Sequence, residues 1–88
     1  MNYYCADVGG HELSFYGFDD DEGIRVVARW IRLFWNRYVA SLQSDFPGSM
    51  ALAIAREGRV SLWASKIDRG VVSDGRRRIF YDRPVDKV

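Results

Sequence analysis

The chain of 88 residues has one cysteine, one histidine and no long apolar run. A lone cysteine, Cys5, excludes an intramolecular disulfide framework, and Cys5 with His11 cannot supply the four ligands of a structural zinc site. No run approaches the roughly 18 apolar residues of a membrane span, and the first residues lack the pattern of a secretory signal. We therefore expect a cytoplasmic protein that has no membrane contact, no metal and no cofactor.

Catalytic signatures are missing as well. Nucleophilic catalysis needs a nucleophile with a base and an orienting group, and acid–base catalysis needs paired titratable groups in a cleft. The only histidine, His11, follows Gly9-Gly10, where we expect it to stabilise a hairpin. Gly9-Gly10 is too short to cradle a phosphate, and the sequence has neither GxGxxG nor GKS/GKT. We therefore predict no catalytic residues and a protein that is not an enzyme.

What is present fits one globular domain over residues 1–88. Hydrophobic residues make up 48% and aromatic residues 15%, values far from those of disordered chains. The net charge is small, but residues 1–24 carry six acids and no lysine or arginine, while the remainder carries 13 bases against six acids. Eleven of the bases are arginine, which makes planar, bidentate contacts with carboxylate or phosphate. The sequence predicts a bipolar molecule.

Two aromatic-rich segments, residues 2–8 and 12–18, flank Gly9-Gly10, a dipeptide typical of a tight β-hairpin. The register that a two-residue loop imposes pairs Val8 with His11, Ala6 with Leu13 and Tyr4 with Phe15. Because side chains alternate across a strand, one face is predicted to be core: Tyr4, Ala6, Val8, Leu13 and Phe15.

Four consecutive acids come next: Asp19, Asp20, Asp21 and Glu22. Asp19 or Asp20 is expected to cap a helix by accepting hydrogen bonds from its first free N–H groups, and the helix dipole favours acids in the first turn. The run lacks the spaced ligands and turn glycine of a calcium loop. An acidic contact surface for a partner is the alternative to capping.

From about residue 21 to residue 42 the apolar pattern has a period of 3.6, which predicts one long helix. The predicted core face comprises Ile24, Val27, Ala28, Ile31, Phe34, Trp35, Tyr38, Val39 and Leu42. A solvated stripe comprises Arg25, Arg29, Arg32 and Asn36. Opposite the core lies a second apolar patch of Val26, Trp30 and Leu33, with Arg37 between them. Contiguous exposed apolar patches usually mark contact sites, so this patch is predicted to bind a partner. Cover by the tail of the chain and a homodimer are the alternatives.

After the helix, residues 50–56 and 59–67 predict a second hairpin around Glu57-Gly58. Its alanine-lined face would let the Trp35 side of the helix approach closely. Residues 76–82 predict an edge strand that is entered from a basic loop.

Arginines and an aromatic ring stand together in that last segment, at Arg76, Arg77, Arg78 and Tyr81. Such a mixture is typical of proteins that bind single-stranded nucleic acid. Charges also protect sheet edges from aggregation, and they suit an acidic protein partner. The usual nucleic-acid modules do not fit, because one helix is too few for an RNA-recognition motif or a helix-turn-helix. Edge protection, a protein partner and nucleic acid all remain open.

The element order predicts an α+β domain: an antiparallel sheet of four or five strands with one long helix on one face, in the order ββαββ(β). This order resembles the β-grasp layout of ubiquitin-like and immunoglobulin-binding domains. A tiny, motif-free chain with segregated charge also resembles the phage-encoded inhibitors of bacterial defence, the anti-CRISPR proteins among them. This second resemblance implies a non-enzymatic protein-binding domain that sterically blocks a large nucleoprotein defence complex by surface contact. A nucleic-acid-binding module is the alternative.

Overall fold

The computed structural model describes residues 1–45, 58–72 and 75–88, and it confirms the predicted α+β class. Five strands form an antiparallel sheet, and one long helix packs on one of its faces. The strands are β1 (Asn2–Val8), β2 (His11–Gly17), β3 (Arg59–Asp68), β4 (Val71–Val72) and β5 (Arg77–Pro84). The long helix runs through α1 (Asp20–Trp30), a π turn (Ile31–Trp35) and α2 (Asn36–Asp45).

The N-terminal hairpin has the predicted register. Val8 opposes His11, Ala6 opposes Leu13 and Tyr4 opposes Phe15. Gly9 and Gly10 have φ angles of +56° and +91°, which a two-residue loop requires and which glycine adopts without strain. On its other side β1 pairs with β3, which in turn pairs with β5 and, near its end, with β4. Among the described strands, β2 and β5 therefore form the two long edges of the sheet.

The helix begins where the acidic run predicts. Asp19 is the N-cap, and its carboxylate accepts a hydrogen bond from the Glu22 N–H at 2.8 Å. The Glu22 carboxylate reaches back and accepts a bond from the Phe18 N–H at 3.0 Å. These reciprocal bonds satisfy free donors at the start of the helix, as a capping box does. The capping role of Asp19 is confirmed.

The helix covers the inner face of the sheet through positions that repeat every four residues. These are Gly23, Val27, Ile31 and Trp35, and all are buried. The sheet contributes the buried residues Tyr4, Ala6, Val8, Val60, Leu62, Ala64 and Phe80. Gly23 allows close contact with the Tyr4 ring, since a Cβ at Gly23 would lie 3.0 Å from a ring carbon. The predicted core position of Trp35 is confirmed.

Two aromatic residues that the periodicity assigns to the core, Phe34 and Tyr38, are instead 53% and 41% exposed. The reason is the π turn, in which the Ile31 carbonyl accepts a hydrogen bond from the N–H five residues later. A π turn rotates the chain by less per residue than the about 100 degrees of an α-helix. The lag grows along the turn and reaches about one position at its end, so Phe34 and Tyr38 move to the side of Trp30 while Trp35 stays over the core.

The second half of the chain differs from the prediction in two details. A turn at Arg69-Gly70, with positive φ at both residues, leads into the short strand β4, which the sequence analysis did not predict. The predicted edge strand over residues 76–82 is present as β5, and its bounds, Arg77–Pro84, are the second difference. The predicted strand over residues 50–56 lies outside the described residues, as does the side chain of Leu42.

Candidate interaction surfaces

The solvent side of the long helix is both basic and apolar. Residues 23–44 include four arginines and no acid. Leu33 lies four residues after one of these arginines and four before another, and it is 42% exposed. Within the described residues none of the four arginines forms an ion pair. We call these five exposed residues the outer helix surface: Arg25, Arg29, Arg32, Leu33 and Arg37.

A neighbouring surface on the same helix, the aromatic flank, comprises Trp30, Phe34 and Tyr38. The rings of Trp30 and Phe34 lie 5.7 Å apart. His11 of β2 contacts both ends of the flank, because its ring is 5.8 Å from that of Trp30 and 5.1 Å from that of Tyr38. The His11 Nδ1 also lies 3.3 Å from the Val8 carbonyl oxygen. The aromatic flank therefore lies on the β2 side of the sheet.

The predicted partner-binding patch of Val26, Trp30, Leu33 and Arg37 is thus divided between two surfaces. The expectation that Trp30 lies opposite the core is wrong, since Trp30 is half-buried and packs against the core. Val26 is half-buried as well, whereas Leu33 and Arg37 are exposed. The π turn lies between Trp30 and Arg37 and changes their angular relation. Whether these residues bind a partner stays a prediction.

Four side chains form a ladder of arginine and aromatic groups on the sheet face that the helix does not cover. The guanidinium of Arg76 lies 4.8 Å from the centre of a Trp63 ring, and that of Arg78 lies 5.2 Å from the centre of the Tyr81 ring. The rings of Trp63 and Tyr81 are 6.5 Å apart. The register of the sheet brings the ladder together, because Trp63 of β3 pairs with Arg78 of β5. Exposed cation–π contacts of this kind contribute about 0.5–1 kcal/mol each.

Arg77 does not belong to the ladder. Its Nη2 donates hydrogen bonds to both oxygens of the Asp20 carboxylate, at 2.9 and 2.8 Å. The acidic and basic runs of the sequence therefore meet at this point. Asp19 and Glu22 are engaged in capping, and Asp21 is exposed. The acidic contact surface over these four acids stays a prediction, with most of its carboxylates already bonded within the chain.

A cleft of about 300 Å³ lies beside the ladder on the same face of the sheet. Trp63 and Arg76 line one side, while Asp7 and Glu12 line another. The Asp7 carboxylate accepts a hydrogen bond from the Gly10 N–H at 3.0 Å, so part of its capacity is used within the hairpin. The lining of the cleft thus contains both an arginine and two carboxylates, and the two carboxylates belong to residues that oppose each other across β1 and β2.

The residues that the structure describes contain no group of three or more His, Cys, Asp or Glu side chains able to hold a metal ion. Over those ranges, no helix is both long enough and apolar enough to cross a membrane.

No protein-family model matches the chain, and no curated protein or solved structure is significantly similar to it. Function is therefore inferred from the geometry of the surfaces. The sequence indicated Arg76, Arg78 and Tyr81 as candidate residues, whereas their partner Trp63 was not predicted. A signal for it was present: Trp63 follows the core residue Leu62 in a strand, and alternation places it on the opposite face.

Proposed function

We propose that the protein is a non-enzymatic protein-binding domain whose outer helix surface docks on an acidic patch of a partner protein. The observation that carries the proposal is the row of four exposed arginines over residues 23–44, a range without acids, and none of the four forms an ion pair within the described residues. Like charges at three- or four-residue spacing destabilise a helix by a few tenths of a kcal/mol, as between Arg25 and Arg29. Carboxylates of a partner would neutralise such a row.

Leu33 supplies the apolar centre of this surface. Protein interfaces combine an apolar, desolvated centre with a charged rim, and arginine is enriched in them. Leu33 is 42% exposed and stands between Arg29 and Arg37 along the helix. Its burial by a partner would remove apolar surface from water while the flanking guanidinium groups bind carboxylates at the rim.

Steric inhibition is the finer form of the proposal. A domain of 88 residues that acts without catalysis does so by occupying a surface that a larger complex needs. The resemblance to phage-encoded inhibitors makes bacterial defence complexes, including nucleoprotein assemblies, the first partners to test. An inhibitor of this kind would lower target binding by the complex in proportion to its occupancy.

The test compares partner capture by the wild type and by matched variants. Wild-type protein, Leu33→Asp and the double variant Arg29→Glu/Arg37→Glu would be immobilised side by side in extract of the native host, and the captured proteins identified by mass spectrometry. We expect one acidic protein to be retained by the wild type and lost at least tenfold from both variants. Tyr81→Ala, on the far strand β5, is the control that should retain it. Equal capture by wild type and variants would overturn the proposal.

The ladder supports a second candidate function, the binding of single-stranded nucleic acid. Stacked guanidinium groups at Arg76 and Arg78 offer charge to phosphates, and the exposed ring of Tyr81 offers a stacking face. Binding of an oligonucleotide should quench Trp63 fluorescence and weaken linearly with the logarithm of salt concentration. Replacement of Arg76 by Gln should reduce that salt slope by about one phosphate contact. An oligonucleotide affinity that does not change with salt concentration would exclude this function.

A further inference from the structure

Strand β2 is an open edge of the sheet. Within the described residues it pairs only with β1, over its whole length and without a bulge. Val8 and His11 form the hydrogen-bonded pair next to the loop. Because hydrogen-bonded pairs alternate along an antiparallel ladder, the backbone N–H and C=O groups of every second residue of β2, counted from His11, point toward β1. The remaining backbone groups, those of Glu12, Ser14 and Tyr16, point away from the sheet. A hydrogen bond of Gly9 supports this assignment. The Gly9 N–H, next to Val8, donates to the Arg59 carbonyl of β3, on the side of β1 away from β2.

The other edge of the sheet is protected. Strand β5 shows two shifts of register against β3, a left-handed φ of 53° at Asp82, and a proline at its end. Bulges, charges and proline are the devices by which natural sheets prevent edge-to-edge pairing. Strand β2 has no proline, lysine or arginine in its seven residues, and its only acid is Glu12. The contrast indicates that the β2 edge is kept available for pairing.

We propose that β2 pairs antiparallel with β2 of a second copy of this chain, about a two-fold axis at Ser14. The register that overlaps the full strands places Ser14 opposite Ser14, Leu13 opposite Phe15 and Glu12 opposite Tyr16. No like charges meet, and the apolar pair lies on the helix side of the sheet. The outward N–H and C=O groups of three residues on each strand then form about six hydrogen bonds. A register centred on Glu12 would oppose two carboxylates and is disfavoured.

The aromatic flank gives independent support for a second copy at this edge. A two-fold axis perpendicular to the sheet places both helices on the same face, with their β2 sides toward the seam. The β2 side of the helix is the one that carries Phe34 and Tyr38, which are 53% and 41% exposed. Within the described residues, these exposed aromatic rings lie beside the open edge of β2 and form with it an apolar and hydrogen-bonding surface. In the register centred on Ser14, His11 of one copy lies opposite Gly17 of the other, so the flank of each copy borders one end of the seam.

This pairing does not depend on the proposed function. The outer helix surface lies on another side of the helix, and a dimer would present two copies of it. A protein that is monomeric yet retains its acidic partner would overturn the dimer alone. A dimer that captures no partner would overturn the proposed function alone.

The test uses charge exchange at Ser14, whose side chain lies on the uncovered face of the sheet. Sedimentation velocity would be measured across the micromolar range for the wild type, Ser14→Lys, Ser14→Glu and an equimolar mixture of the two variants. We expect the wild type to sediment with twice the chain mass of 10.2 kDa, and each variant alone with the single mass. The mixture should sediment as a dimer, because the lysine introduced in one copy then faces the glutamate introduced in the other, and no like charges are opposed.

Two further variants complete the experiment. Ser14→Pro removes the outward N–H at the axis without touching the pairing with β1, and it should also be monomeric. Tyr81→Lys, which adds the same charge to the opposite edge, should leave the dimer unchanged. Circular dichroism would confirm that every variant keeps the wild-type fold. A wild type that is monomeric at all concentrations, or a dimer that persists in Ser14→Lys and Ser14→Pro, would overturn the proposal.

Discussion

Arg77 of β5 holds the first turn of the helix through Asp20, a residue 57 positions earlier in the chain. One guanidinium nitrogen reaches both carboxylate oxygens, and the Asp20 Oδ1 also accepts a hydrogen bond from the Tyr4 hydroxyl at 3.1 Å. The last strand, the helix and the first strand thus meet at one carboxylate. This contact joins the acidic start of the chain to its basic end.

Asp20→Asn should lower the free energy of unfolding by about 0.5–1 kcal/mol. The effect is modest because the two side chains are 59% and 36% exposed, so water and salt screen the pair. Urea unfolding at low and high salt would measure it, and the loss should shrink at high salt. Asp21→Asn is the matched control, since it removes the same charge one position away. Equal losses in both variants would show that the ion pair contributes nothing.

Alkaline pH should destabilise the protein through Tyr4. Burial raises the pKa of the Tyr4 hydroxyl above its ordinary value of 10.0, and the neighbouring Asp20 raises it further against the opposing effect of Asn2. Because the folded-state pKa is the higher one, the contribution of Tyr4 is complete below pH 10.0 and is lost as pH rises through the folded-state pKa. Urea unfolding at increasing pH should show this decline in the wild type and a weaker one in Tyr4→Phe.

Gly9→Ala should destabilise the protein more than Gly10→Ala. Both positions have positive φ, which costs a non-glycine residue about 1–2 kcal/mol. A Cβ at Gly9 would also overlap the Trp35 ring, whereas a Cβ at Gly10 would meet nothing within 4 Å. Overpacking of this kind adds about 1–3 kcal/mol. Thermal unfolding of the two variants measures the difference, and equal losses would mean that the Trp35 ring moves aside freely.

Three helix positions should differ in their contribution to stability. Trp35→Ala should cost about 3–5 kcal/mol because the side chain is 3% exposed in the core. Leu33→Ala should cost less than about 0.5 kcal/mol, as at other surface sites. Trp30→Ala should fall between them, since Trp30 is half-buried against the core. A Trp30 loss as small as that of Leu33 would place Trp30 on a free surface after all.

The sequence predicted the parts of the fold that local rules control. The Gly9-Gly10 loop sets the hairpin register by its length, and the acid at Asp19 marks the start of the helix by its hydrogen bond. The π turn escaped prediction because a helical wheel assumes a constant rotation per residue. The position at which the rotation changes depends on tertiary packing. In this protein the relevant contact is that of Trp35 with Gly9 of the hairpin loop.

The candidate surfaces were predicted less completely, because they combine residues that are distant in sequence. Arg76 and Trp63 meet only after β5 has paired with β3, and the shifts of register in that pairing have no marker in the sequence. His11 was interpreted as a turn residue, and its contacts with Trp30 and Tyr38 depend on where the helix crosses the hairpin. The arginines of the outer helix surface were predicted correctly as exposed, since periodicity alone separates them from the core.

The π turn also bears on which changes of length the helix tolerates. It takes up one residue more than a regular helix needs to connect the same two end positions. A deletion of Arg32 would therefore convert it to a regular turn while Trp35 kept its place on the hairpin loop and Tyr38 its place beside His11. The same deletion within α1 or α2 would turn every later residue by about 100 degrees and carry apolar side chains into water. Within this helix, the π turn is therefore the interval that should tolerate the loss of one residue.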